Sequence, residues 1–148
     1  MRTVVSPQYL ISACLCGICC RYDGSSFSID RFVRLAENGL ALPVCPELLG
    51  GLIVPRPPCE LLGGRVVTRD GEDRTEAFLR GAHRTLELAL KHQIRCVIFK
   101  ERSPSCGCDM IFDGSFSGCL VPGEGITTAL LRQYGITVLN EETAPVCL

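Results

Sequence analysis

Residues 94–107 read Ile94-Arg95-Cys96-Val97-Ile98-Phe99-Lys100-Glu101-Arg102-Ser103-Pro104-Ser105-Cys106-Gly107. The run from Ile94 to Lys100 is almost continuously apolar and rich in Val, Ile and Phe, which suits a strand buried on both faces, as in a parallel sheet. Proline and glycine between Ser103 and Gly107 then force a turn. Just upstream, Asp73 to His92 places Phe78, Ala82, Leu86 and Ala89 on one side of a long predicted helix. Gly81 in that helix costs roughly 1 kcal/mol relative to Ala.

The same alternation extends outward. Tyr9 to Leu15 is a short apolar run that ends in cysteines and reads as a strand. From Ile29 to Glu37, Ile29, Phe32, Val33 and Ala36 mark a helical face, with Ser28 as N-cap and Gly39 as the stop. Leu40 to Cys45 is a second strand, ended by Pro46, and Gly50 to Pro58 is a loop shaped by Gly50-Gly51, Pro55, Pro57 and Pro58. Arg65 to Thr68 makes a short strand. Gly123 to Tyr134 gives a helix with Ile126, Ala129 and Leu130 inward, and Ile136 to Leu139 a last strand. Strands alternating with helices predict an α/β fold over residues 1–148, a single-domain, Rossmann-like three-layer sandwich with a small, mostly parallel sheet.

Composition narrows the function. The chain has 148 residues and a formal net charge of -1, so it lacks the electropositive field that a polyphosphate partner requires, and no nucleic acid partner is expected. No apolar stretch is long enough to cross a bilayer, so no membrane partner is expected either. Ser6-Pro7-Gln8 interrupts any apolar core of a secretion leader in Met1 to Leu10, which points to the cytoplasm. Eleven cysteines are many for a cytosolic domain, and their odd number forbids complete internal pairing. In reducing cytosol, clustered thiols are by default metal ligands.

In open parallel sheets ligands bind beyond the carboxyl ends of the strands, and Cys14, Cys45 and Cys106 each lie at or just past a predicted strand end. Three thiolates on an iron-sulfur cubane leave one iron open. Three protein ligands and a water on zinc are also a catalytic pattern. Cys16 and Cys19 form a C-x-x-C that could be a redox pair or half of a zinc knuckle. Spacing alone does not choose among these. His83 and His92 are nine residues apart, not the i, i+4 spacing of a helical metal pair, and read as solvated helix positions. Cys59, Cys96, Cys119 and Cys147 read as small hydrophobes or spare thiols.

Several motifs are specific in combination: Ser12-Ala13-Cys14-Leu15-Cys16-Gly17 with Cys20-Arg21-Tyr22-Asp23-Gly24, Cys45-Pro46-Glu47, Gly50-Gly51-Leu52 with Pro55-Arg56-Pro57-Pro58, Lys100 to Gly107, and Val121-Pro122-Gly123-Glu124-Gly125. In this order they resemble the thiouracil desulfurase family, formerly DUF523. The resemblance implies an oxygen-sensitive 4Fe-4S cluster held by Cys14, Cys45 and Cys106, and two acting side chains, Glu47 and Ser103. It implies non-redox desulfuration of a small thiolated heterocycle, 2-thiouracil to uracil and hydrosulfide, with the substrate sulfur on the open iron. Cys16, Cys19 and Cys108 depart from the family pattern, and with Cys20 they leave the ligand assignment open. Arg56 is either a loop anchor or a substrate contact, and the helix opening at Gly123-Glu124-Gly125 could offer backbone N–H groups to the substrate. A non-catalytic carrier of iron-sulfur or zinc, and desulfuration of a thiolated nucleoside in RNA, are the competing readings. Nothing in the sequence speaks to the oligomeric state.

Overall fold

The computed structural model describes residues 5–145; Cys147 and the first four positions of the leader reading lie outside them. In chain order the elements are β1 (Tyr9–Ser12), a 3-10 turn (Ala13–Cys16), α1 (Asp30–Glu37), β2 (Ala41–Val44), α2 (Pro46–Leu49), β3 (Cys59–Leu62), β4 (Arg65–Thr68), α3 (Thr75–Lys91), β5 (Cys96–Phe99), β6 (Met110–Phe112), β7 (Leu120–Pro122), α4 (Ile126–Gln133) and β8 (Thr137–Asn140). Four strands form a parallel sheet in the order β2-β1-β5-β8. Pro43 lies in β2, at the edge of that sheet, where a missing backbone donor is tolerated.

The two-residue period of the strands separates two apolar layers. Leu10, Val97, Phe99 and Val138 pack with Leu86 and Ala89 of α3 and Leu131 of α4. Ile11 and Ile98 pack on the other side with Phe32 and Leu35 of α1. Each fully buried Leu, Ile or Phe contributes about 1.5–3 kcal/mol by leaving water. These two layers and the sheet between them make the three-layer α/β sandwich.

Three expectations need correction. The first strand ends at Ser12, not Leu15, because the chain tightens into the 3-10 turn, so Cys14 leaves the sheet one turn past the strand. The helix α1 has Ile29, not Ser28, at its N-cap, and no side chain caps it. In α4 the buried stripe is Thr127, Thr128 and Leu131, while Ile126, Ala129 and Leu130 are only half-buried. That helix faces a polar loop backbone at its start, so small hydroxyl side chains, not aliphatic ones, fill its inner side.

The short helix α2, the strand β3 and the β6–β7 hairpin had no counterpart in the periodicity, whereas β4 is the short strand expected at Arg65 to Thr68. The β3–β4 hairpin turns on Gly63-Gly64, with φ of 58° and 80°, the left-handed pair that a two-residue turn requires. The helix α2 lies against α3 with almost no space between the backbones. A Cβ on Gly81 would sit 1.9 Å from the Pro46 carbonyl oxygen, and one on Gly50 would sit 2.1 Å from that of Ala77. Gly81 is therefore not a weak point of α3 but the notch that admits α2. We predict that Gly81→Ala destabilises the protein by about 1–3 kcal/mol or more through overpacking, against the roughly 1 kcal/mol that helix propensity alone would return. Urea unfolding checks this; a stabilised variant would contradict the notch.

Candidate active site

Because β2, β1 and β5 are parallel neighbours, the segments that follow them leave the sheet on the same side. Cys14 follows β1 in the 3-10 turn, Cys45 follows β2 as the N-cap of α2, and Cys106 sits in the loop after β5. All three line one cavity of about 520 Å³, together with Cys20, Glu47, Arg56, Ser103 and Ser105. Tyr22, Phe27, Phe112 and Phe116 contribute aromatic wall. The thiols of Cys14 and Cys106 are buried and that of Cys45 is half-buried.

Cys20 is the fourth thiol of this cavity, 3% exposed. Its contact with Cys14, together with burial, pushes its thiol up to about 11, against a smaller lowering by Cys45. The hydrogen bond to Cys20 and burial raise Cys45, and burial raises Cys106. Such thiols ionise only for a centre that competes with the proton, as a thiophilic metal does.

Ligand spacing bears on which metal the thiols could hold. Tetrahedral zinc with Zn–S near 2.3 Å brings its ligand atoms to within about 4 Å of each other. Among the described residues, the one trio of His, Cys, Asp or Glu ligand atoms within 4.8 Å of one another is Glu101, Cys108 and Asp109. No three of the cavity thiols form so tight a set, and the all-thiol donors are of the kind that iron-sulfur clusters take. The Glu101 trio is bridged by Asn140, whose Nδ2 donates to Glu101 Oε2 and, at 3.2 Å, to Asp109 Oδ2.

The surplus cysteines sort by position. Cys16 points to the Phe32 carbonyl oxygen at 3.8 Å, on the side of α1. Cys108 is buried with its sulfur 3.6 Å from Glu101 Oε2, and Cys19 and Cys119 are exposed. None of these four lines the cavity. Cys96 is half-buried in β5 and is likewise absent from the lining, whereas Cys59, read as a spare thiol, does line it.

Glu47 stands on the first turn of α2, and its two oxygens have different partners. Oε1 pairs with Arg56 Nε at 3.2 Å, and Oε2 accepts from Ser105 Oγ at 3.1 Å. Arg56 also donates to the carbonyl oxygens of Cys20 at 2.9 Å and Ile53 at 3.2 Å. It is thus the anchor between the Cys20 loop, the proline loop and Glu47. Ser103 Oγ accepts from the backbone N–H groups of Ser105 and Cys106, each at 3.1 Å, and lies 2.8 Å from Ser105 Oγ. The structure therefore joins Glu47 and Ser103 through Ser105, a residue that sequence reading treats as part of a turn.

The family model for 2-thiouracil desulfurase matches residues 9–143. The chain belongs to that family. Uncharacterized protein YbbK of Bacillus subtilis (strain 168) is 44% identical over 142 residues, covering 89% of this chain and 94% of that one. A solved structure described as [4Fe-4S]-dependent thiouracil desulfidase TudS superposes with a TM-score of 0.90 at 47% identity, covering 94% of this chain and 93% of that chain.

In this member of the 2-thiouracil desulfurase family the loop bearing Ser103, Ser105 and Cys106 is held from two sides. The start of α4 donates Gly125 N–H to Gly107, Ile126 N–H to Pro104, and Thr127 and Thr128 N–H to Ser105 carbonyl oxygens, while Thr128 Oγ1 donates to the Cys106 carbonyl at 3.0 Å. Those N–H groups serve the loop and are not free for a substrate. From the other side, Glu101 Oε1 accepts backbone N–H groups of Arg102, Cys108, Asp109 and Met110. Burial pushes the Glu101 carboxyl up, but those backbone hydrogen bonds and Asn140 together outweigh it and hold the group below its ordinary 4.5.

A depressed folded value means that Glu101 contributes stability above pH 4.5, which is lost as pH falls through the lowered value. We predict that Glu101→Gln costs the metal-free protein about 1–3 kcal/mol at pH 7 and flattens its stability profile below pH 4.5. Denaturant unfolding across that range checks both; an unchanged acid slope would contradict the assignment.

Proposed function

We propose that this chain is a [4Fe-4S]-dependent desulfurase, one domain over residues 1–148, that converts a thiolated pyrimidine such as 2-thiouracil into uracil and hydrosulfide. The observation that carries the reading is the convergence of Cys14, Cys45 and Cys106 from three neighbouring strand ends into one cavity that also holds Glu47 and Ser103. These three cysteines would hold the cluster. When bound through three thiolates, such a cluster supplies an iron with an open position, a Lewis acid toward a thiocarbonyl sulfur.

The chain's own residues supply the rest. Phe27, Phe112 and Phe116 offer apolar wall to a planar ring and limit the water that reaches it. Glu47 acts as general base, with Oε2 available to take a proton from the water that attacks the ring carbon. Arg56 keeps that carboxylate ion-paired and oriented, the two side chains being only 17% and 6% exposed. Ser103 has its oxygen engaged by two backbone N–H groups, so its one proton is a donor, held on Ser105 Oγ at 2.8 Å until it turns to the substrate ring. Replacing sulfur by oxygen consumes water and releases hydrosulfide with no net electron transfer, so no flavin or nicotinamide is required.

The test is turnover of 2-thiouracil by anaerobically reconstituted protein. Glu47→Gln is expected to keep its iron and sulfide while kcat falls on the order of 10²-fold or more. A variant that desulfurates at the wild-type rate would remove Glu47 from the reaction and favour the carrier reading.

A further inference from the structure

Ser105 is 1% exposed, and its hydroxyl touches three functional groups. Ser103 Oγ lies at 2.8 Å, Glu47 Oε2 at 3.1 Å and Cys106 Sγ at 3.4 Å. Proton counting fixes the direction of these bonds. A serine hydroxyl has one proton to donate and two lone pairs to accept with. Ser103 already accepts two backbone N–H groups, so in its short contact with Ser105 it is the donor. The single proton of Ser105 then goes to the strongest acceptor in reach, the Glu47 carboxylate.

We propose that Ser105 is a positioning residue of the desulfuration: one directed hydrogen-bond chain, from Ser103 to Ser105 to Glu47, aims the Glu47 carboxylate at the attacking water and holds the Ser103 hydroxyl at the cavity wall. The inference rests on the reaction proposed above. Both lone pairs of Ser103 are occupied by the N–H groups of Ser105 and Cys106, so Glu47 takes the proton of the water directly. Ser105 keeps its own proton and acts through the two groups it orients.

The chain also explains why Ser105 is so deeply placed. Its carbonyl accepts from Thr127 and Thr128 at the start of α4, which fixes its backbone, and a Cβ on Gly125 would sit 2.4 Å from its carbonyl carbon. Its hydroxyl is thereby aimed by backbone packing and not by a flexible side chain.

Ser105→Ala tests this, with Ser105→Gly as a second variant that removes the same hydroxyl. Both are expected to bind iron and sulfide as the wild type does. Their kcat for 2-thiouracil should fall about 10- to 100-fold with KM within about twofold, the scale of a misaligned general base. In the metal-free protein, the infrared carboxylate band assigned to Glu47 by its loss in Glu47→Gln should shift in Ser105→Ala. Wild-type kcat in both variants, or an unshifted Glu47 band, overturns the role of Ser105 and leaves the desulfurase standing. A cluster-loaded wild type that releases no sulfide from 2-thiouracil overturns the reaction itself.

Discussion

Parallel pairing of β1 with β2 on one side and β5 on the other is the constraint from which the site follows. Parallel strands need crossover connections, and these place every strand exit of the sheet on the same side. Cys14, Cys45 and Cys106 are more than thirty residues apart from one another in sequence, yet they leave three adjacent strands in register. An antiparallel arrangement would send alternate exits to opposite ends of the sheet. The buried layers formed by α1 on one face and α3 and α4 on the other therefore contribute to chemistry as well as to stability, because they hold those exits at fixed separations.

The thiol-bearing segments are short and would be mobile without external support. Each is tied by a polar device that the core does not provide. The start of α4 and the Glu101 carboxylate grip the loop of Cys106 between them. Arg56 ties the Cys20 segment to Glu47, and the glycine notch between α2 and α3 seats the helix on which Glu47 stands. Loop residues held by backbone hydrogen bonds lose little freedom when a ligand arrives, which is the general advantage of preorganised sites.

The fold was legible where burial on both strand faces left continuous apolar runs, as in Cys96 to Phe99, and where α3 repeated its apolar face. It was less legible where packing is against backbone. The inner side of α4 is Thr127 and Thr128, which no hydrophobic period reveals, and Gly81 read as a defect because its partner, Pro46, is thirty-five residues away. The β3–β4 hairpin did carry a signal, Gly63-Gly64 between two short runs. In the site, the positions of Cys14, Cys45 and Cys106 followed from strand ends, but Ser105 and Glu101 did not, since serine beside proline and glutamate after a strand have ordinary structural explanations. The surplus thiols could be sorted only in three dimensions, where Cys16 and Cys108 turn away and Cys20 turns in.

The most direct measurement is the metal and sulfide content of anaerobically reconstituted protein, compared among the wild type and single alanine variants at Cys14, Cys45, Cys106, Cys16 and Cys108. The account predicts about four irons and four sulfides per chain in the wild type, as a cubane cluster requires, with zinc absent. It predicts loss of the cluster on replacing any of the first three cysteines and its retention on replacing either of the last two. One zinc per chain without iron, or cluster loss that follows Cys16 or Cys108 instead, would contradict it.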